Sequence, residues 1–499
     1  MPLSLLTAVV MVGLGGLCVL PASAGGLPVT GMPIPELQQF DDYMVGFMNA
    51  NDIPAGLLAI MRDGEVVYQR GFGWKDEDQT IPLRSDAIMR IASITKPFTA
   101  SAIRDMIADP GVNIALNDTV FDLGQPGGGI LPYSAFDGSE LVQWPSLPTP
   151  NMTLVTVQQI LDHTSGLPPN DGNDPMFQSV AIADAFTAAG YNAPYPASRT
   201  RTTQFALGGP LATTPGAQET SPPASCANRV YSNFGYMVLG QVVQNVTGQN
   251  YIDVIHQRVV APIPWLPLNE VVYGRTFAED NDPREPWYDS EGQLWTNVFD
   301  PDGDLVPSAY GGYYHELHFA SGGLVTTTSA LVKVADTFYI QLQDFCNAVM
   351  GDYGLRTNGV PPASRRSHGG RNRGTSSMLA QRSDGINFAY IFNKRLGDSV
   401  FNDPRDNIDG MIDTLAGMAG AGTFTWPTQG VDGQWVEFNN GRGVGEGSFE
   451  VPWAGVDVAL LNSPQEATVN FKPGTSSWTG DINQVIRMRA PLGPVSIGE

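Results

Sequence analysis

A serine and a lysine three residues apart, in Ser93-Ile94-Thr95-Lys96, constrain this chain more than any other feature. Residues at positions i and i+3 share one face of a helix, so the hydroxyl and the amine can meet. A serine hydroxyl is a poor nucleophile at neutral pH and needs a base beside it. The apolar residues before and after the pair predict a buried helix. Burial lowers the pKa of a lysine, so Lys96 can be that base.

Two further short motifs follow this pair, Tyr231-Ser232-Asn233 and then His368-Gly369-Gly370. One S-x-x-K motif alone is weak evidence. Taken singly, Tyr231 also reads as an ordinary tyrosine in front of a helix, and Gly369-Gly370 as a turn. The three motifs in this order predict a nucleophilic serine site.

The combination resembles the serine β-lactamase and penicillin-binding-protein superfamily. It is closest to the branch with Y-x-N as the second motif, which holds class C β-lactamases, D-alanyl-D-alanine carboxypeptidases, D-aminopeptidases and family VIII carboxylesterases. Residues 161–167, 231–240 and 321–326 support the resemblance, which covers residues 35–420. It implies an α+β fold in which helices flank an antiparallel sheet beside an all-α region.

The resemblance implies a role for each residue of the first two motifs. Ser93 would be the acylated nucleophile, and Lys96 would lower the barrier to its deprotonation. Tyr231 would lie beside both as a phenolate or proton relay. Asn233 would hydrogen-bond the acyl side of the substrate. The implied enzyme is a serine hydrolase that needs no cofactor.

The third motif, His368-Gly369-Gly370, would form the inner edge of a strand that faces Ser93. The backbone N–H groups of Ser93 and Arg371 would form the oxyanion hole. Glycines suit a strand that a ligand approaches closely. β-Lactamases normally carry lysine where His368 stands, and a histidine is mostly neutral near pH 7. This difference weakens the prediction of a β-lactamase and favours peptidases, D-aminopeptidases or carboxylesterases.

Four arginines lie around the third motif, and two interpretations of them stay open. One of them could bind a substrate carboxylate in place of the missing lysine. Alternatively, they form a solvated loop cluster. They are Arg365, Arg366, Arg371 and Arg373.

His163-Thr164-Ser165 invites the interpretation of a Ser-His-Asp triad. The chain contains no G-x-S-x-G motif of the kind that presents such a serine. The resemblance instead implies a structural turn after a helix at residues 161–167.

Two long irregular segments are predicted to border the site and set its width. They are residues 191–228 and 262–312, both rich in proline. Long irregular segments in a compact enzyme are usually lids or binding loops. In an oxidising compartment Cys226 could pair with Cys346 and pin the first segment.

The net charge of −23 argues against nucleic acid or anionic membranes as partners. Residues 1–24 read as a signal peptide, with an apolar stretch and the small-residue site Ala22-Ser23-Ala24. This predicts a secreted or periplasmic protein without stable membrane insertion; an uncleaved anchor is the alternative. We expect no metal site, although Asp300, Asp302 and Asp304 could hold Ca²⁺. The oligomeric state does not follow from the sequence.

The residue pattern predicts helices over 35–51, 155–162, 234–246, 251–260 and 407–419, and hairpins over 56–73 and 377–395. Composition changes near residue 423. Residues 425–499 are predicted to be a small β-rich unit with strands at 456–461 and 467–471. The four tryptophans of this unit are expected in its core rather than on a glycan-binding surface.

The combined prediction is a serine hydrolase that acts through an acyl-enzyme on an ester or a small amide, with a preference for the carboxylesterase-like interpretation. A D-alanyl-D-alanine carboxypeptidase, a D-aminopeptidase or a weak β-lactamase is the alternative. A protein of another class, acylated slowly as a sensor without turnover, also stays open. The expected partner is a small-molecule or peptide substrate.

Overall fold

The computed structural model describes residues 26–143, 150–216, 230–340, 354–355, 361–438 and 444–498. The predicted signal peptide, Cys226 and Cys346 lie outside these residues. Ten α-helices are described: α1 Gln38–Ala50, α2 Thr95–Ala108, α3 Val157–Leu161, α4 Ser179–Ala188, α5 Arg199–Gly208, α6 Asn233–Thr247, α7 Tyr251–Ile255, α8 Thr328–Thr337, α9 Asp403–Gly420 and α10 Val456–Asn462.

The strands are mostly short outside the main sheet. They are β1 Val29–Thr30, β2 Ala55–Arg62, β3 Glu65–Gly73, β4 Met89–Arg90, β5 Phe121–Asp122, β6 Leu131–Pro132, β7 Ala135–Phe136, β8 Leu141–Val142, β9 Val271–Tyr273, β10 Leu294–Trp295, β11 Val306–Pro307, β12 Leu324–Thr326, β13 Phe338–Tyr339, β14 Gly354–Leu355, β15 Arg366–Asn372, β16 Thr375–Gln381, β17 Asn387–Phe392, β18 Gln434–Val436, β19 Ala467–Phe471, β20 Gly474–Ser476, β21 Ile486–Arg489 and β22 Val495–Ile497.

A six-stranded antiparallel sheet in the order β1-β3-β2-β17-β16-β15 forms the centre of the main body. The two predicted hairpins are confirmed as β2–β3 and β16–β17, and they meet where β2 pairs with β17. Strands from the two ends of the main body thus lie side by side, as the α+β prediction requires. The strand that carries the third motif, β15, lies at one edge.

Both faces of this sheet are buried, because side chains alternate along each strand. On β2, Leu57 and Ala59 pack into the core between the sheet and the helices α2, α6 and α8. Leu58 and Ile60 point to the opposite face, where α1 and α9 cover them. The two helices predicted at 35–51 and 407–419 therefore form one layer, and the helix that follows Ser93 belongs to the other.

The segment between residues 262 and 312 is held to the main body by a buried arginine. The guanidinium of Arg90, just before the first motif, donates to the carbonyls of Ala309 at 2.8 Å and Arg275 at 2.7 Å. It also lies over the Tyr288 ring, 4.2 Å from its centroid. These contacts fix the long segment beside the residues that carry Ser93.

Two sequence predictions are wrong in detail. Residues 456–461, predicted as a strand, lie within helix α10, which begins directly after Gly455. The segment 191–228, predicted as irregular, contains helix α5. Its N-cap is Ser198, whose hydroxyl accepts from the Arg201 N–H at 3.3 Å. The strand predicted at 467–471 is confirmed as β19.

The C-terminal residues pack against the main body through buried ion pairs. Asp432 accepts from Lys333 of α8 at 2.7 Å and from Arg489 of β21 at 2.8 Å. Trp435 is buried, and Trp453 and Trp478 pack partly against the apolar cluster around β19. Trp426 is instead buried in the main-body cluster with α1 and α9, so the expectation that it lies in the core of the C-terminal unit is wrong. No helix in the described ranges is long and apolar enough to cross a bilayer.

Candidate active site

Ser93 and Lys96 meet at the start of α2, as the spacing predicts. Ser93 lies in a 3₁₀ turn over residues 92–94, and Lys96 is in the first turn of the helix. The Lys96 Nζ lies 3.1 Å from the Ser93 Oγ. The residue before Ser93, Ala92, has a φ of +45°, a strained conformation for a residue with a side chain. The turn holds the half-buried Ser93 hydroxyl at the surface of a cavity.

The Lys96 ammonium is fully buried and bound by three oxygens. Besides Ser93 it donates to the Asn233 Oδ1 at 2.8 Å and to the Ser321 carbonyl at 2.7 Å. Burial lowers the pKa of Lys96 to about 7, and the charge of Asp174 offsets part of that fall. A large share of Lys96 is therefore neutral near pH 7. The neutral amine can accept the proton of Ser93.

Tyr231 completes the predicted group of proton-transfer residues. The Lys96 Nζ lies 4.7 Å from the centroid of the Tyr231 ring. The hydroxyl is buried and makes no well-formed hydrogen bond to the described residues. Burial raises the pKa of Tyr231 well above its usual value, and the nearby Ser93 hydroxyl opposes this only in part. Tyr231 is therefore a neutral phenol at pH 7, which favours the relay over the phenolate.

His163 holds Tyr231 in place. The two rings stack with their centroids 4.5 Å apart. The Nδ1 of His163 accepts the Ser232 backbone N–H at 3.0 Å. Ser232 in turn caps α6, with its Oγ accepting the Gly235 N–H at 3.0 Å. His163 thus fixes the loop in front of α6, which agrees with the structural role implied for residues 161–167.

Asp174 is a member of this site that sequence reasoning missed. Its Oδ2 accepts the Asn233 Nδ2 at 2.9 Å, while the other end of that amide accepts from Lys96. The carboxyl is 1% exposed, and burial raises its pKa to about 6. Asp174 therefore carries a negative charge at neutral pH and fixes the orientation of the Asn233 amide. The Asp174-Pro175 pair does predict a helical cap, but not its place beside Asn233.

The third motif lies on β15 against the turn of Ser93. A side chain at Gly370 would begin 2.2 Å from the Ile91 carbonyl oxygen and 3.0 Å from the Ser93 nitrogen. Only glycine allows this approach. His368 is completely buried, and burial together with the charge of Lys96 lowers its pKa to about 3. The third motif therefore supplies no cation at neutral pH.

A cavity of about 760 Å³ opens over these residues. The predicted residues Ser93, Tyr231, Asn233, Gly369 and Arg371 line it. Lys96, His368 and Gly370 lie behind its surface rather than on it.

Other parts of the lining were not predicted. Residues 170–172 and 177–178 form one wall, and His318 lies beside Ser321. The predicted border role of segment 262–312 is confirmed at Trp295, whereas none of the described residues of segment 191–228, which end at 216, belongs to the lining. No sequence motif pointed to these five residues, because their contribution depends on the path of the chain between α3 and α4.

The comparison with protein-family models decides the family. The model described as Beta-lactamase matches residues 40–445.

The chain belongs to the beta-lactamase family.

Family membership agrees with the geometry of Ser93 and Lys96, because members with this fold are serine hydrolases. The predicted fold is therefore confirmed: an antiparallel sheet with flanking helices, as in the beta-lactamase family. The match ends at residue 445, within the unit that the composition places after residue 425.

Individual relatives are distant and match in part. Protein flp from Staphylococcus aureus (strain MW2) is 26% identical over 226 residues, which are 45% of this chain and 36% of that protein. The chain thus spans about a third of that relative's length. A D-aminopeptidase from Gluconobacter oxydans (strain 621H) is 32% identical over 79 residues, 16% of this chain and 15% of the relative.

Solved structures of two other proteins are similar in outline. The D-amino acid amidase from Ochrobactrum anthropi SV3, complexed with L-phenylalanine amide, aligns with a TM-score of 0.49 and 18% identity, over 75% of this chain and 99% of that one. A D-stereospecific amidohydrolase from Streptomyces sp. aligns with a TM-score of 0.46 and 21% identity, over 72% and 96% of the two chains.

Proposed function

We propose that this protein is an exported serine hydrolase that cleaves esters or small amides through an acyl-enzyme on Ser93. The observation that carries the proposal is the 3.1 Å contact between the Ser93 hydroxyl and the buried Lys96, whose pKa is about 7. A base with a pKa near the working pH transfers protons most effectively. The open cavity above Ser93 gives a substrate access to this pair.

The acylation step follows from the arrangement. Ser93 Oγ attacks the substrate carbonyl carbon and gives its proton to neutral Lys96. The bond to the leaving group then breaks, and the proton passes to that group, with the Tyr231 phenol as relay. Water next adds to the acyl carbon under the same base. Cleavage of the Oγ–C bond releases the acid and returns the proton to Ser93.

The negative charge that develops on the carbonyl oxygen needs donors already in place. We assign this task to the backbone N–H groups of Ser93 and Arg371. The close approach of Gly370 to the Ser93 nitrogen supports this assignment, because Arg371 is the next residue along the strand. Asn233, held at both ends by Lys96 and Asp174, is suited to bind the acyl side.

The ester interpretation is preferred because His368 stays neutral. A β-lactam site normally uses a cation at that position to hold the substrate carboxylate. Burial and the charge of Lys96 keep His368 uncharged, with a pKa of about 3. A reaction on a lactam would lack that contact.

A D-aminopeptidase is the second candidate. The relative from Gluconobacter oxydans bears that name. Asp171 at the mouth of the cavity is an acid that could face a substrate amine. Slow acylation without turnover is the third candidate, which the geometry permits because nothing in it fixes the rate of deacylation.

Steady-state hydrolysis of p-nitrophenyl butyrate, D-alanine p-nitroanilide and a chromogenic cephalosporin tests these candidates, with the wild type and Ser93→Ala compared. We expect ester turnover that Ser93→Ala abolishes. Turnover of the anilide alone would select the aminopeptidase. One equivalent of p-nitrophenol without turnover would select the slowly acylated protein. Equal rates in both proteins would contradict the assignment of Ser93.

A further inference from the structure

A second cavity lies between the main body and the C-terminal residues. Its volume is about 490 Å³; β3 and α8 contribute to one side of its lining, and β18 and α10 contribute to the other. A smaller cavity of about 40 Å³ adjoins it and shares Glu270, Ser329 and Gln434 with it. Among the described residues, none lines both these cavities and the active-site cavity. The two adjoining cavities together are called the C-terminal cleft.

The larger cavity is lined by equal numbers of cations and acids. They are Lys75, Arg84 and Arg284 on one side of the balance and Asp86, Glu270 and Glu446 on the other. Arg84 donates to both carboxylate oxygens of Asp86, at 2.8 and 2.7 Å, and lies 3.6 Å from the carboxylate of Glu446. Arg284 forms an ion pair with Asp282 at 2.9 Å. Lys75 and Glu270 remain, and neither forms an ion pair with a carboxylate or a cation of the described residues.

Glu270 lies at the start of β9, with its side chain half-buried in the cleft. Burial raises the pKa of Glu270, and the charge of Arg284 opposes this. A carboxylate that has lost much of its water gains most from a cation placed against it. The position therefore suits an ammonium group.

Lys75 is also half-buried and offers the opposite charge to the same cavity. Its ammonium donates to the carbonyl of Pro283 at 2.6 Å. An ammonium has three N–H donors, so two are left for a ligand. The position suits a carboxylate.

Two polar side chains of the C-terminal residues also face the cleft. The Oε1 of Gln434 accepts from Trp453 at 3.0 Å and from Ser463 at 2.6 Å, which leaves its NH₂ group as a donor. Thr468 is 3% exposed and lines the smaller cavity, and its hydroxyl has no hydrogen-bond partner within the described part of the chain. A buried hydroxyl without a partner costs stability, which a polar ligand would recover.

The three-stranded sheet β4-β12-β9 joins the cleft to the active site. Both outer strands are antiparallel to β12. At one end of this sheet, Glu270 precedes β9 and Ser329 follows β12. At the other end, Ser93 follows β4, and Ser321, whose carbonyl binds Lys96, precedes β12. The three residues of β12 span about 10 Å, so a movement at the cleft has a short path to the nucleophile.

We propose that the C-terminal cleft binds a small zwitterion, an amino acid or a short peptide, with its ammonium at Glu270 and its carboxylate at Lys75. A ligand with only one charge would leave one of these two groups unpaired. The Gln434 amide and the Thr468 hydroxyl suit the polar groups between the two charges. Because the cleft and Ser93 lie at opposite ends of β12, binding should change the reaction at Ser93. That consequence alone rests on the proposed function.

Calorimetry with Ser93→Ala tests the site without turnover. Three matched probes are compared: glycylglycine carries both charges, N-acetylglycylglycine lacks the ammonium and glycylglycinamide lacks the carboxylate. We expect one glycylglycine per chain, bound at least about tenfold more tightly than either analogue, since hydrogen bonds to charged groups have that strength. No binding of glycylglycine, or equal affinity for the three probes, would overturn the proposal.

Two further variants in the Ser93→Ala background assign the two ends of the ligand. Glu270→Gln should weaken glycylglycine about tenfold and leave N-acetylglycylglycine unchanged. Lys75→Gln should weaken glycylglycine equally and leave glycylglycinamide unchanged. Lys472→Gln is the control, because Lys472 pairs with Glu437 outside the cleft. Full affinity for glycylglycine in both cleft variants would contradict the assignment, and the comparison of probes in Ser93→Ala stays decisive if a cleft variant misfolds.

Kinetics of the wild type measure the link to the active site. Saturating glycylglycine should change kcat/KM for p-nitrophenyl butyrate by at least about fivefold, and Glu270→Gln should abolish the change. Binding without a change in kcat/KM would overturn the link to Ser93. An enzyme that hydrolyses no ester would contradict the hydrolase proposal and leave the calorimetric result as it stands.

Discussion

The Lys96 side-chain nitrogen lies 3.1 Å from the Ser93 hydroxyl oxygen in a position with no exposure to solvent. Burial alone would push the pKa of such a lysine far down. The negative charge of Asp174 raises the pKa of Lys96 and keeps it near 7. The Asn233 amide lies between the two groups and is hydrogen-bonded to both. The pKa of Lys96, the proposed base, therefore depends on one buried carboxylate as well as on burial.

The pH profile should report this balance. Lys96 must be neutral to accept a proton, so kcat/KM should rise with pH through an apparent pKa near 7. Asp174→Asn keeps an acceptor for Asn233 but removes the charge that raises the pKa of Lys96. Lys96 then loses its proton at lower pH, so the rise of kcat/KM with pH should also move to lower pH.

Kinetics from pH 5 to 9 measure this shift, with Asp280→Asn, an exposed acid of segment 262–312, as control. If the rise of kcat/KM in Asp174→Asn moves to higher pH or does not move, Asp174 does not raise the pKa of Lys96.

Tyr231→Phe should separate catalysis from stability. Loss of the relay should lower kcat by about 10²–10⁴-fold with a small change in KM. The free energy of unfolding should not fall, because the buried hydroxyl makes no well-formed hydrogen bond to the described residues.

Tyr236→Phe is the matched control for this variant. Its hydroxyl donates to the Leu161 carbonyl at 3.0 Å, so it should lose about 1 kcal/mol of stability and keep its activity. Stopped-flow kinetics and urea unfolding of both variants give the answer. The opposite pattern in either variant would refute the assigned roles.

Gly370→Ala tests the close approach of β15 to the nucleophile. The added methyl group would begin 2.2 Å from the Ile91 carbonyl oxygen, so the strand and the Ser93 turn must separate. We expect a loss of about 1–3 kcal/mol in the free energy of unfolding and a large fall in kcat. Gly410 in helix α9 is the control, because a methyl group added there would have no other atom within 4 Å. Gly410→Ala should therefore raise stability slightly. Full activity in Gly370→Ala would show that the backbone there has no part in the reaction.

Asp432→Asn tests how the C-terminal residues are held. The carboxylate is buried between Lys333 and Arg489, and their charges keep its pKa well below the usual value. A carboxyl with a depressed pKa stabilises the fold above its unfolded pKa, and that contribution is lost as pH falls through the folded pKa. At pH 7 the variant should lose about 3–5 kcal/mol, because the buried Lys333 loses its carboxylate partner, whereas Arg489 keeps its ion pair with Glu65.

Hydrogen exchange should locate that loss in β18, β19 and β21. The exposed Asp481→Asn serves as control. Unchanged exchange in these strands would contradict the assigned contact.

Local signals predicted much of the fold. The turns at 62–64 and 383–385 between apolar runs predicted both hairpins, and the helix faces at 35–51 and 407–419 were periodic enough to identify. The alternating Val456-Asp457-Val458 misled because a seven-residue helix is too short to show its own period. For α5, the cap at Ser198 was a usable signal that the proline-rich surroundings obscured.

The site was predictable only where residues form a motif. Ser93 and Lys96 are coupled by helix geometry, which sequence spacing reports directly. Asp174 and Trp295 reach the site through the course of long loops, and no short-range pattern encodes that. The neutral state of His368 depends on its complete burial and on Lys96, which is distant in sequence.

A pre-steady-state experiment tests the central claim most directly. Wild-type protein mixed with excess p-nitrophenyl butyrate should release one equivalent of p-nitrophenol in a burst, and intact-mass and peptide analysis of the quenched enzyme should place one butyryl group on Ser93. Ser93→Ala should show neither. An acyl group on any other residue, or a burst that survives in Ser93→Ala, would contradict the account.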